Sequence, residues 1–279
     1  MSESYEDIFN DALSFIGESK VLDDSEISYG PLRLTVAPKE GKANTLLADH
    51  LFSPSLFLAE RIERALIPVQ GRRGSALTTI SLKSSDEPPF AHYLEVVELG
   101  AGCALPSLLM STSAQPPSLV VVTDYPDDVI MKNLKENVNR NRSHVSYGCI
   151  TCCQGYEWGT DAHSLLSLTG SEIMGYDVVI LSDLLHFHNS HNVLITSLKS
   201  LLRKTADSRV YIAAGRYTSP NVCDNFMKIA NSEGLCIEEQ VSGGQEEPWL
   251  GTMEVANFDK QALSVRKAAC RFWIGRWAA

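Results

Sequence analysis

An apolar run closes on Glu98-Leu99-Gly100-Ala101-Gly102-Cys103-Ala104-Leu105-Pro106. Two glycines one residue apart leave no side chain between main chain and ligand, and they permit tight turn dihedrals. A helix opening just after such a turn offers free N–H groups and the positive end of its dipole, which suits a ligand carboxylate. The motif reads G-x-G-x-x-x-P. Leu105 and Pro106 follow where the dinucleotide fingerprint has its third glycine, which counts against a nicotinamide- or flavin-dependent oxidoreductase. A second apolar run, Leu119-Val120-Val121-Val122-Thr123, ends in Asp124, about twenty residues beyond the glycines. A carboxylate there accepts hydrogen bonds from both hydroxyls of a bound ribose. The plainer use of Asp124 is as a helix cap beside Asp127. Glycine turn and acid together favour a nucleoside-containing cofactor.

A third polar group follows the run Asp177-Val178-Val179-Ile180-Leu181. It comprises Ser182, Asp183, His186, His188 and His191. Asp183 is placed to accept a hydrogen bond from a substrate amine and orient it; its alternative is a loop or cap role toward the Ser190 region. The histidine spacing admits a metal site, general-base catalysis by His186, or the commoner duties of capping and backbone bonding. Cys149-x-x-Cys152, with Cys153 adjacent, looks like half a zinc site. No second pair matches it, and on a strand Cys149 and Cys152 point to opposite faces, so buried thiols are expected and no metal. Arg216 and Tyr217 either line an acceptor pocket or bound a loop. Residues 243–249, rich in glycine and acid, read as a mobile flap or an ordinary exposed loop.

The elements that must position these residues follow from periodicity. Short β-branched runs at Tyr93–Leu99, Leu119–Asp124, Gly148–Gly155, Asp177–Ser182 and Val210–Ala214 read as strands, with further strands at Leu235–Val241 and Lys267–Trp273. Helical stretches fall at Pro106–Ser111, Asp127–Asn139, Ala162–Leu168, Ser190–Lys204 and Asn221–Glu233. Strands apolar on both faces and joined by helices make a mostly parallel sheet covered on both sides. Residues 1–92 have a different texture and are expected to be an extension packing on a core of residues 93–279. Within it we expect an amphipathic helix over Ile8–Ile16, a strand over Tyr29–Val36, a helix capped at Ser53 with Pro54 at its first position, and a loop from Gln70 to Pro89 with a short strand at Leu77–Leu82.

Bulk composition narrows the partners. The chain has 279 residues, 44% hydrophobic and 21% charged, with a formal charge of -10. That surface repels nucleic acid and anionic membrane and favours neutral or cationic partners. No apolar run reaches the length of a membrane span. The acidic start, Met1-Ser2-Glu3-Ser4-Tyr5-Glu6-Asp7, is unlike a leader, and seven scattered cysteines suit a reducing compartment. A cytoplasmic monomer is expected.

Val96–Gly102, Leu105-Pro106-Ser107-Leu108, Val121–Asp127, Glu157-Trp158-Gly159 and Asp177–Leu185 with His188 and His191 resemble a seven-strand class I methyltransferase. The likeness is strongest to the family-16 group of lysine and N-terminal protein methyltransferases. Within it lie the fungal nicotinamide N-methyltransferase-like proteins, whose members include one acting on translation elongation factor 1-alpha. The resemblance covers about residues 45 to 275. It implies a Rossmann-like sheet of seven strands and S-adenosylmethionine as cofactor. Gly100 and Gly102 would line its methionine part, and Glu98 would hold the loop or the amino group. Asp124 would take the ribose, Tyr125 would flank the adenine, and Trp158 would pack on the ring. Ser182 and Asp183 would lie near the transferred methyl. Phe52 stands where the family usually carries a tryptophan. The expected acceptor is a protein lysine or α-amine; a small-molecule N- or O-methyltransferase and a non-catalytic cofactor-binding scaffold are the competing functions.

Overall fold

The computed structural model describes residues 26–38, 51–67, 94–170, 173–240 and 248–278. In chain order the elements are β1 (Ile27–Tyr29), β2 (Leu32–Leu34), α1 (Ser53–Glu63), β3 (Glu95–Leu99), α2 (Leu105–Ser111), β4 (Leu119–Asp124), α3 (Asp128–Arg140), β5 (Ile150–Gly155), α4 (His163–Leu166), β6 (Val178–Ser182), α5 (His191–Leu201), β7 (Arg209–Gly215), α6 (Pro220–Ser232), β8 (Leu235–Glu239), α7 (Lys260–Ala268) and β9 (Cys270–Trp277). Seven strands form one sheet in the order β5-β4-β3-β6-β7-β9-β8. β9 runs antiparallel to both its neighbours; the other pairings are parallel. The winding reverses between β3 and β6, because the chain leaves β3 for β4 and β5 and then returns to the other side. That crevice is where an open α/β sheet binds ligands.

Apolar runs with no polar alternation are explained by burial on both faces. Val96, Val120, Val122, Val178, Ile180, Tyr211 and Ala213 pack on one side with α1, α2 and the β1–β2 hairpin. Val97, Leu99, Val121, Val179, Leu181, Val210 and Ile212 pack on the other with α5 and α6. At β5, Cys149 just before the strand and Cys153 within it go with the first layer and Cys152 with the second, the opposite facing expected of Cys149 and Cys152. They are half-buried rather than buried.

Residues 51–67 contribute to the core. Leu56, Phe57, Leu58, Ala59 and Ile62 of α1 are buried, and α1 packs on α2, α7 and β7. Phe52, not Ser53, occupies its N-cap and makes no side-chain cap bond; Ser53 and Pro54 are the first helical residues. The strand expected over Tyr29–Val36 is a hairpin instead. Gly30 turns the chain at φ +52°, a conformation L side chains rarely adopt. The helix over Ile8–Ile16, the loop from Gln70 to Pro89 and its strand at Leu77–Leu82 lie outside the described residues.

Three asparagines hold this hairpin. Asn133, Asn137 and Asn141 recur every fourth residue along α3, on one face. Asn141 accepts from Arg33 N at 2.8 Å and donates to Arg33 O at 2.8 Å. Asn137 does the same for Thr35 N and O, at 2.9 and 2.7 Å. Asn133 donates to Thr35 O at 2.9 Å. The amides thus stand in for a neighbouring strand. Asn137→Ala leaves the partly buried Thr35 N without its acceptor, while Thr35 O keeps Asn133, so a loss of about 1–3 kcal/mol is expected in urea denaturation. An unchanged midpoint would mean that water replaces the amide.

The C-terminal region departs most from expectation. Residues 260–268, of which only the end is expected to be regular, and then as strand, form α7. Asp259 caps it, accepting from Ala262 N at 2.7 Å. Its buried face includes Arg266 and Lys267, so no apolar stripe marks it. Lys267 pairs with buried Glu60 of α1 at 2.9 Å. The final strand therefore runs over Cys270–Trp277 rather than Lys267–Trp273. Trp249, expected in a flap or loop, is buried edge-on to Tyr29 with centroids 6.4 Å apart; residues 241–247 lie outside the described residues.

Candidate active site

The residues marked by their spacing fall at the carboxyl ends of four strands, and the topology brings those ends side by side as β4-β3-β6-β7. After β3 the chain turns through Gly100 (φ +57°), Gly102 (φ +56°) and Ala104 (φ +62°) into α2. A Cβ on Gly100 would lie 2.7 Å from Leu184 Cδ2 and 3.1 Å from Trp158 Cζ2. Gly100 is therefore glycine for two reasons, its dihedral and its close neighbours. A Cβ on Gly102 would meet nothing within 4 Å, so that stretch of main chain faces open space of the kind a ligand would fill.

Asp124 borders this turn. Its carboxylate accepts from Gly102 N at 2.7 Å through one oxygen and from Tyr125 N at 2.8 Å through the other. It is not a helix cap; Asp127 caps α3, accepting from Val129 N and Ile130 N. Each Asp124 oxygen keeps acceptor capacity, enough for two ribose hydroxyls. Burial pushes its carboxyl up to about 6. Tyr125 follows with 43% of its surface exposed, free to flank a base. Glu98 lies behind the turn with no exposed surface. It accepts from Ser107 N at 3.3 Å, its Oε1 has no partner, and burial pushes its carboxyl up to about 8. The Ser107 bond ties Glu98 to the first turn of α2.

On the other side of the crevice are Ser182 and Asp183. The Ser182 hydroxyl lies 2.9 Å from that of Ser55 in the first turn of α1. α1 thus reaches over the end of β6, and Ser55 joins the site although no feature of the sequence marks it. Phe52, half-buried, immediately precedes this helix. Asp183 is 4% exposed and adopts φ +63°, uncommon for a residue other than glycine. Its carboxylate accepts from Gly215 N at 3.3 Å and from the Tyr217 hydroxyl. These bonds tie it to the end of β7 and not to the Ser190 region. Burial pushes it up to about 7 against those two donors.

The three histidines disperse. His191 opens α5 and is buried, its Nε2 2.8 Å from Leu185 O and its ring edge-on to Phe226. His188 is exposed. His186 lies against Phe187, the rings tilted at 39° with centroids 4.0 Å apart, and burial lowers its pKa to about 4. Neutral but weakly basic, it suits an aromatic wall better than a general base. Trp158 stands edge-on to the same Phe187 at 5.6 Å, so Trp158, Phe187 and His186 line one side. Among the described residues no cluster of histidine, cysteine, aspartate or glutamate has the arrangement of a metal site.

A sheet wound in this order, with an open glycine turn at its point of reversal and an acid on the adjoining strand, is that of the S-adenosylmethionine-dependent methyltransferases. The residues fit the cofactor: open space over Gly102, spare acceptors on Asp124, and aromatic rings at Tyr125 and Trp158. More narrowly, the chain belongs to the lysine methyltransferase family, whose model matches residues 75–233, more than half its length. It is 32% identical over 151 residues to a Schizosaccharomyces pombe protein named protein N-terminal and lysine N-methyltransferase efm7, covering 52% of this chain and 56% of that one. A Yarrowia lipolytica protein of the same name is 38% identical over 121 residues, 39% of this chain and 43% of the relative. One from Gibberella zeae is 27% identical over 242 residues, 83% and 80%. The matched stretch thus spans about half the length of the first two relatives. No helix among the described residues is long and apolar enough to cross a membrane.

Proposed function

We propose that this protein transfers a methyl group to an amine nitrogen of another protein, a lysine or an N-terminal α-amine. The observation that carries the proposal is Asp183, a buried carboxyl held beside the glycine turn with acceptor capacity to spare. The names of the relatives support a protein acceptor. When bound, S-adenosylmethionine supplies a methyl on a cationic sulfur and leaves as a neutral thioether, so the protein's task is alignment and preparation of the nucleophile.

An amine attacks only when deprotonated. The α-ammonium group has a pKa of about 8 and lysine about 10.4. A carboxylate whose own pKa is about 7 takes a proton from an α-ammonium against a difference of about one unit, but from lysine against more than three. The α-amine, the weaker base of the two, therefore needs less help from the protein at neutral pH, while a lysine requires further desolvation. Once that proton has passed on to solvent, the carboxylate accepts a hydrogen bond from the amine's remaining N–H, and Trp158, Phe187 and His186 offer π faces to the positive charge. Translation elongation factor 1-alpha is the acceptor we propose. We propose a monomer that acts in the cytoplasm, with 1–92 as the extension and 93–279 as the methyltransferase domain. Seven free cysteines support that compartment.

The direct test is incubation with methyl-labelled cofactor and purified elongation factor 1-alpha or candidate amine metabolites, followed by mapping of the label. Methylation of the α-amine or a lysine is expected; label confined to metabolites would overturn the proposed acceptor. Asp183→Asn should lower turnover about tenfold or more, the equivalent of one charge-assisted hydrogen bond, with cofactor Kd unchanged. Full turnover in that variant would remove Asp183 from amine handling.

A further inference from the structure

We propose that Tyr217 is a positioning residue that holds the Asp183 carboxylate, through its hydroxyl and through a ring folded onto Gly215, in the orientation that receives the acceptor amine. This rests on the assignment of Asp183 to the amine. Three observations meet here. First, the Asp183 backbone is in the left-handed region, which persists only when neighbours enforce it. Its N–H donates to Ala213 O at 2.8 Å, so main chain and side chain are both tied to the end of β7. Second, the two carboxylate oxygens are held by different groups, Oδ1 by Gly215 N and Oδ2 by the Tyr217 hydroxyl. That fixes the carboxylate plane and leaves one acceptor direction on each oxygen for substrate. Third, the Tyr217 ring occupies the space a side chain at 215 would need: a Cβ there would overlap its Cε1, Cζ and Cδ1 atoms. Gly215 has no positive φ, so its lack of a side chain serves the ring and not the backbone.

The hydroxyl also bears on ionisation, because a donor to Oδ2 favours the charged carboxylate while burial opposes it. The other groups facing this pair are few. From β9, Cys270 lies opposite Gly215 in register, and burial holds its thiol well above its usual range and neutral. Arg266 and Arg216 act on Cys270 from beyond. On the Asp183 segment His186 is neutral, and from α1 the Ser55 hydroxyl reaches Ser182. Tyr217 itself stays protonated, since burial and Asp183 raise its pKa well above 10. With Gly215 N fixed in the main chain, the tyrosine donor is the adjustable support of the carboxylate.

The test is the pH profile of kcat/KM. In Tyr217→Phe the ring stays and the donor goes. The acid limb, set by Asp183 ionisation, should move up by about one pH unit, with turnover near pH 7 falling about fivefold and recovering as pH rises. Cofactor Kd should be unchanged, and the loss should appear in kcat more than in acceptor KM. Gly215→Ala should expel the ring and reproduce the shift, and the double variant should show no more than either alone. An acid limb unmoved in Tyr217→Phe overturns the proposal. If Asp183→Asn loses turnover while Tyr217→Phe leaves the limb in place, only Tyr217 is misassigned. If Asp183→Asn keeps its turnover, the assignment of Asp183 falls, and this proposal with it.

Discussion

Replacing Arg203 with alanine should lower the free energy of unfolding by about 3–5 kcal/mol. Arg203 is 2% exposed and lies at the end of the sheet opposite the cofactor site. Its guanidinium pairs with Glu95 at the start of β3 and with Asp177 just before β6. It also donates to Ile173 O at 3.0 Å and Gly175 O at 2.7 Å. The two carboxylates hold main chain in turn: Glu95 accepts from Gly170 N at 2.6 Å and Asp177 from Glu95 N at 2.8 Å. Removing the arginine leaves two buried carboxylates without their cation, and uncompensated buried charge costs more than the intact pair contributes. Urea denaturation measures this directly. A triple variant, Arg203→Met with Glu95→Gln and Asp177→Asn, should recover much of the loss because it removes the stranded charges. A loss below about 1 kcal/mol in Arg203→Ala would mean that water reaches the cluster.

Asp124→Ala should weaken S-adenosylmethionine binding by about 100-fold or more. Two ribose hydroxyls donating to a carboxylate contribute about 1.5–3 kcal/mol each, and about 1.4 kcal/mol is a tenfold change in Kd. Alanine also withdraws the acceptor from Gly102 N and Tyr125 N, which loosens the turn that must stay open. Isothermal titration gives the affinity, and a circular dichroism melt separates it from unfolding. Acidity should act in the same direction. Burial raises the Asp124 carboxyl to about 6, so the charged acceptor is present above that pH and is lost as pH falls through it. An affinity unchanged in the alanine variant would place the ribose elsewhere.

The residues of the crevice that are legible in the sequence share a property: Glu98, Gly100, Gly102, Asp124, Tyr125, Trp158, Ser182 and Asp183 each lie within three positions of a strand's last residue. Val121 and Leu181 sit in runs apolar on both faces, and such runs end visibly at Asp124 and Ser182. Short-range chemistry is legible too, as with Asp127 capping α3. What stays hidden depends on contacts between distant segments. Asp183 and Tyr217 are thirty-four residues apart, and Ser55 and Ser182 are 127 apart; Asp183, Tyr217 and Ser182 can each be singled out, but nothing local says which residue each one meets. The histidines mislead in the converse way. Their close spacing suggests convergence, yet the segment entering α5 turns His191 inward and leaves His188 outside. α7 is obscured because Arg266 and Lys267 occupy its buried face, where pairing replaces the apolar stripe that periodicity depends on.

The asparagine clamp on the hairpin has a consequence for how the hairpin's sequence can change. Asn141 reads only the peptide group of Arg33, while the Arg33 side chain points to solvent, 3.2 Å from Glu26. A grip on main chain is blind to the identity of the residue it grips, provided that residue keeps its N–H, which excludes only proline. Attachment is thereby uncoupled from outward-facing sequence at that position. The hairpin's exposed surface can drift toward a different partner while α3 keeps the hairpin docked.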